Sequence, residues 1–147
     1  SSDLRVTLLG PLRCLDHELY RDLPAWVETT ARDICRAYGG EARVRFRSIA
    51  PPVRNDAALT ALLEEVAVEQ LGRDRVLLLD HPSLGAEDFA HYLEHVPGCM
   101  LRLGVAGPAG CAPLHNGGFD PDEGCLPVAV GVLAGVLRRW LGQRCRP

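Results

Sequence analysis

Between Pro113 and Pro127 the chain reads PLHNGGFDPDEGCLP, gathering His115, Asn116, Asp120, Asp122 and Glu123 among glycines and prolines. Imidazoles and carboxylates are the side chains that ligate metal ions or move protons near neutral pH. The segment belongs to a long loop, residues 107–124, and structureless loops of that length in compact domains are usually functional. His115 is therefore a candidate metal ligand or general base. The plainer alternative is a surface histidine in a solvated turn.

Three other stretches invite a chemical reading. HYLEH, residues 91–95, matches H-x-x-E-H, a zinc-protease pattern with two histidines one helical turn apart. At about 100° per residue, however, Phe89, Tyr92, Leu93 and Val96 share one face, which sends His91 and His95 to the opposite, solvated side. GVAGPAG, residues 104–110, is glycine-rich but spaced G-x-x-G-x-x-G, and it opens no helix on which a pyrophosphate could sit, so it reads as a flexible loop. GAEDF, residues 85–89, reads as a helix start with Glu87 and Asp88 in its first turn. That is favourable charge on a helix dipole, or a set of free N–H groups for a substrate carboxylate or carbonyl. No serine lies in G-x-S-x-G, and no cysteine carries a nucleophile's local signature.

The elements that must position these residues follow from periodicity. LRVTLL, residues 4–9, suits a strand that Gly10-Pro11 interrupts. A helix follows, apolar at Leu19, Leu23, Trp26, Val27, Ile34 and Tyr38 and closed by Gly39-Gly40. Either Asp16 caps it and Pro24 kinks it, or Asp22 caps a helix with Pro24 in its first turn. Residues 41–49 alternate Ala42, Val44 and Phe46 against Arg43, Arg45 and Arg47, a strand with one buried face. Strand, helix, strand is half of a two-layer sandwich and leaves both strands short of neighbours. Ala50-Pro51-Pro52 breaks the pattern, which places a domain boundary there: residues 1–50, then 51–147. A helix over 57–71 opens at Asn55-Asp56 and ends at Gly72. VLLL from Val76, a helix from Gly85 to Gly98, a strand MLRLGVAG and a last helix with Pro127 in its first turn and Gly142 as its stop complete the chain. The fold class is α/β, the second part being a section of a larger sheet with helices on its faces.

The net charge of −3, with arginine supplying the positive charge, leaves no basic field for nucleic acid. No run of eighteen residues is free of charges and breakers, and the first residues form no signal peptide, so no membrane partner and a cytoplasmic location are expected. The start, SSD, reads as an edge cut from something longer. Six cysteines (Cys14, Cys35, Cys99, Cys111, Cys125 and Cys145) form no C-x-x-C pair and read as reduced thiols buried as small apolar residues, with a disulfide framework as the minority alternative.

Taken together, LGPLRCLD, PPVRND, PSLGAEDFAHYLEHVPG, PLHN and FDPDEGCLPVAVGVLAGVL resemble, in order and spacing, the C-terminal half of M20 amidohydrolases of the aminoacylase and auxin-conjugate hydrolase branch. The resemblance covers nearly the whole chain. It implies that residues 1–50 are the second half of a lid domain, often the dimerisation surface, and that residues 51–147 close an α/β catalytic domain. Members use two divalent metals, zinc or manganese, to activate a water that attacks the amide of an N-acyl amino acid or similar small substrate. The histidine of L-H-N, a metal ligand in the family, falls on His115, while Glu87 and Asn116 are candidates for substrate binding. The family's other ligands and its catalytic glutamate lie in upstream segments that this sequence lacks. No catalytic residue is therefore assigned, and the chain is expected to be inactive without an N-terminal half. Pro11 replaces a usual threonine and Leu84 a common methionine. Two other readings stay open: a non-catalytic module that pairs its open strands with a second copy, and a zinc site at His91 and His95.

Overall fold

A computed structural model describes residues 4–144, so the SSD start and Cys145 lie outside the described residues. The chain divides into two compact units, one containing the segment up to Val53 together with His81–His95, the other Arg54–Asp80 together with the chain from Val96 on.

In the first unit α1 runs from His17 to Ala37. Asp16 is its cap, Oδ1 accepting from the Leu19 N–H at 2.8 Å, which settles the choice between Asp16 and Asp22. Pro24 is then interior and cannot donate to the Tyr20 carbonyl one turn back. The helix ends as a glycine stop: Gly39 adopts φ +75° and the Gly40 N–H returns to the Cys35 carbonyl at 2.8 Å. No α1 residue is buried, and Trp26 is 58% exposed. The Tyr20 hydroxyl meets the Ser48 hydroxyl and ties α1 to the segment that follows it.

The second unit is built on α2, Ala57–Leu71, and α4, Cys125–Arg144. Asp56 caps α2 through Oδ1 and the Leu59 N–H at 2.9 Å, and Gly72 stops it at φ +86°. A single 3-10 turn, Arg73–Arg75, follows. Leu62, Val66 and Ala67 of α2 and Val132 of α4 are buried. The close approach of the two helices needs Gly135, where a Cβ would lie 2.8 Å from Val66 Cγ1. Arg139 of α4 pairs with Glu69 and, at 3.8 Å, with Glu65 of α2. Its hydrogen bond holds the Glu69 carboxyl below the usual carboxylate range, a lowering that partial desolvation opposes. At the start of α2 the Asn55 amide imitates a backbone rung, Nδ2 donating to the Met100 carbonyl at 2.9 Å and Oδ1 accepting from the Met100 N–H at 3.0 Å. Over Cys125–Gln143, α4 is long and apolar enough to cross a membrane by length and composition. Helices of a protein core meet the same criterion, and α4 lies on α2 with Arg139 in its ion pairs.

Two expected boundaries change. The helix expected from Gly85 to Gly98 shrinks to α3, Phe89–Leu93, because both ends tighten into three-residue turns: Ala90 N–H to Glu87 O, and His95 N–H to Tyr92 O. Gly142 does not stop the last helix, which continues to Arg144. The segments expected as strands form no ladder among the described residues, where only an isolated bridge joins Gly107 and Gly110. An extended segment becomes a strand only when another accepts and donates its backbone hydrogen bonds. Here Leu4, Leu8 and Leu9 are at least 90% exposed, and Leu77, Leu78 and Leu79 of the VLLL run are exposed too. Residues 101–106 keep strand-like alternation, with Leu101, Leu103 and Val105 half-buried and Arg102, Gly104 and Ala106 exposed.

Candidate metal-ligand loop

The loop from Gly107 to Gly124 is closed at its base by backbone and by one carboxylate. Gly107 and Gly110 enclose a tight turn, the Gly110 N–H donating to the Gly107 carbonyl at 2.9 Å, so GVAGPAG is a turn at the loop's entry. At the exit the Asp122 N–H donates to the Val105 carbonyl at 2.9 Å, and Asp122 Oδ1 accepts from the Gly124 N–H at 2.8 Å, just ahead of α4. A Cβ on Gly107 would stand 3.2 Å from Asp122 Oδ2, so the glycine leaves room for that carboxylate. Asp122, read from sequence as one of several loop acids, is thus the brace of the loop. Its position three residues before the apolar helix was the available signal.

His115, midway along the loop, has φ +66°, the sole non-glycine residue with positive φ among the described residues. The left-handed region crowds Cβ against the following carbonyl and costs about 1 kcal/mol or more. Asn116 holds the conformation: its N–H donates to the Pro113 carbonyl at 3.2 Å, its carbonyl accepts from Phe119 at 3.0 Å, and its Oδ1 accepts from the Gly118 N–H at 2.8 Å. The His115 side chain is left exposed. An exposed imidazole held on a strained, hydrogen-bonded turn can offer a nitrogen lone pair to a metal ion or a proton acceptor to a substrate.

Glu87, in the first unit, has Oε1 3.4 Å from the Phe89 N–H at the start of α3. Asn116 and His115 are adjacent in the second unit. His91 is engaged elsewhere, Nε2 lying 3.0 Å from the Ile49 carbonyl, and His95 lies beyond the end of α3.

Among the described residues no group of three or more His, Cys, Asp or Glu side chains is gathered to hold a metal ion. By its chemistry the His115 imidazole could fill one coordination position of a metal ion. A shallow cavity of about 470 Å³ between α2 and α4, lined by Glu69, Gln70, Gly135 and Arg138 among others, contains neither His115 nor Asn116.

Comparison with known proteins bears on the chain as a whole. The model of peptidase family M20/M25/M40 matches residues 5–139. A probable hydrolase, sll0100, of Synechocystis is 40% identical over 132 residues, covering 88% of this chain and 34% of that protein. N-acetyl-L-cysteine deacetylase of Bacillus subtilis is 32% identical over 92% of this chain and 31% of its own length. An IAA-amino acid hydrolase ILR1-like protein of Arabidopsis thaliana is 30% identical over 95% and 31%. Among solved structures, the Bacillus subtilis YXEP protein, a dinuclear metal-binding peptidase of the M20 family, superposes with a TM-score of 0.71 at 29% identity. That match covers 82% of this chain and 32% of that one. The chain spans about a third of the length of these relatives.

Proposed function

Because the chain belongs to peptidase family M20/M25/M40, we propose that it is part of a metal-dependent hydrolase that cleaves the amide bond of N-acyl amino acids or small peptide-like substrates. The observation that carries the reading is His115: the histidine of the L-H-N pattern is the residue on which the loop places its backbone strain, and its imidazole is exposed. Strain of this kind clusters at functional sites. The relatives named as deacetylase and amino acid hydrolase support a small amide substrate.

In the complete enzyme two divalent ions, zinc or manganese, would supply an activated water and polarise the amide carbonyl. His115 would contribute one ligand, and an N-terminal half carries the others. Asn116, whose Oδ1 is committed to Gly118, keeps its Nδ2 donors for a substrate oxygen. Glu87 stands at the start of α3 and would face the substrate's polar end. We assign residues 1–50 to the second half of a lid and residues 51–147 to the closing part of an α/β catalytic domain. The exposed VLLL run supports a sheet completed by segments outside this chain, since four adjacent apolar residues suit a strand covered on both faces. A cytoplasmic location, without nucleic-acid or membrane partners, belongs to the same reading. The five described cysteines are free thiols, the state that a reducing compartment maintains.

A second reading has an observation of its own. Leu4, Val6, Leu8 and Leu9 are 72–94% exposed, so residues 4–9 suit pairing with a second copy, as in a lid that joins two subunits or in a non-catalytic module. Metal analysis with an activity assay separates the readings. In the full-length enzyme His115→Ala should lose bound metal and amide hydrolysis together, while the isolated chain should bind metal well below one equivalent. Retention of full metal and activity by His115→Ala would sink the ligand assignment.

A further inference from the structure

The loop that carries His115 starts and ends on a glycine, and one side chain lies against both. A Cβ on Gly107 would stand 3.2 Å from Asp122 Oδ2 and 3.4 Å from Asp122 Cβ, and a Cβ on Gly124 would stand 3.0 Å from Asp122 Oδ1. Neither glycine has a positive φ, so the backbone conformation does not demand glycine at either place. What the two positions share is room for this carboxyl, whose Oδ1 also accepts from the Gly124 N–H at 2.8 Å.

A short, stiff stretch joins the carboxyl to the turn at His115. Asn116 closes that turn, its N–H on the Pro113 carbonyl and its own carbonyl accepting from the Phe119 N–H at 3.0 Å. Between Phe119 and Asp122 stand only Asp120 and Pro121. Pro121 fixes its own φ and holds Asp120 extended, and Pro113 does the same to Ala112 on the entering limb. The limbs also meet, since a Cβ on Gly118 would lie 4.0 Å from Ala112 Cβ. All of these residues belong to the second unit. Few free rotations therefore separate Asp122 from the left-handed backbone of His115, and movement at the loop's base reaches that turn.

We propose that Asp122 is a positioning residue for the His115 imidazole: its carboxyl, seated between Gly107 and Gly124, fixes the spacing of the loop's two ends and so holds the strained turn that presents the ring. The proposal rests on the reading of His115 as a metal ligand. A ligand on a costly backbone conformation keeps its geometry only while its surroundings enforce it. When the frame loosens, metal binding must itself restore the turn, and affinity falls by that amount.

Hydrogen exchange of the metal-free full-length enzyme, read at the hydrogen-bonded amides of Asn116, Gly118 and Phe119, tests the coupling, and zinc titration against a competing chelator tests its consequence. Asp122→Ala should speed exchange at these three amides about fivefold, the effect of losing one ordinary hydrogen bond. It should also weaken zinc binding about tenfold, as loss of a ligand's supporting contacts does. Asp122→Asn keeps the acceptor for Gly124 and the shape of the carboxyl, and should behave as the parent. Gly107→Ala, which leaves Asp122 in place but crowds it, should move both readouts in the direction of Asp122→Ala. Faster exchange confined to Gly124 would make Asp122 a local cap of α4 and overturn the proposal. Failure of Asp122→Asn to rescue would overturn it too, as would unchanged zinc affinity in Asp122→Ala when His115→Ala has lost zinc. If His115→Ala keeps its zinc while Asp122→Ala speeds exchange at the turn, the ligand reading fails and the brace between Asp122 and the turn stands.

Discussion

Replacing Gly135 with alanine should destabilise the pairing of α2 and α4, although alanine is the better helix former. In an exposed helix interior the exchange would gain about 1 kcal/mol. At Gly135 the added Cβ would run into Gln70 Nε2 and lie 2.8 Å from Val66 Cγ1. The Gln70 amide ends a flexible side chain and can swing away. Val66 is 2% exposed and cannot, so the helices must part, at an overpacking cost of typically about 1–3 kcal/mol. The net expectation is a loss of about 1 kcal/mol. Gly131, one turn earlier, supplies the control: its Cβ would meet only Gln70 Oε1, at 3.4 Å, an ordinary contact. Gly131→Ala should therefore be neutral or stabilising by up to about 1 kcal/mol. Urea unfolding of the two variants beside the parent protein measures the difference, and equal midpoints for Gly131→Ala and Gly135→Ala would refute the packing argument.

Two further expectations concern the same helices. The Glu69 carboxyl, lowered by its hydrogen bond from Arg139, contributes stability that is whole above the ordinary carboxylate value and disappears as pH falls through the lowered value of the folded state. The stability gap between the parent and Glu69→Gln should thus be present at neutral pH and close in acid; a gap that persists when the carboxyl is protonated would contradict it. Asp56→Ala removes the acceptor for the Leu59 N–H and should cost about 1 kcal/mol of stability, within a usual range of about 0.5–2, whereas Asp56→Asn should recover most of it.

What was legible in the sequence was mainly local. The bounds of α2, its Asp56 cap and its Gly72 stop follow from capping chemistry and hydrophobic period, both properties of a few adjacent residues. The choice between Asp16 and Asp22 was not local, because both are good caps; it fell to Asp16 when Pro24 was accommodated inside α1. The last helix outran Gly142 because one glycine costs only about 1 kcal/mol within a continuing helix. The strand patterns at 4–9, 41–49 and 76–79 were readable as patterns, but a ladder needs a neighbour, and none pairs with them among residues 4–144. At the loop, His115 was singled out by residue type and by L-H-N. Its positive φ and the bracing role of Asp122 were not, since both depend on hydrogen bonds closed across the loop. Gln70 against Gly135 is likewise a contact between residues 65 positions apart that no local pattern encodes.

The bare VLLL run also bears on how this chain behaves in concentrated solution. A short apolar stretch with open backbone groups is a template for pairing with its own copies. Here it is bracketed by Arg75 on one side and by Asp80 on the other, and charges set at both ends act as gatekeepers, since stacked copies in register would place like charges against each other. The bracket confines any such association to four residues, a length below the six or seven that form a durable zipper.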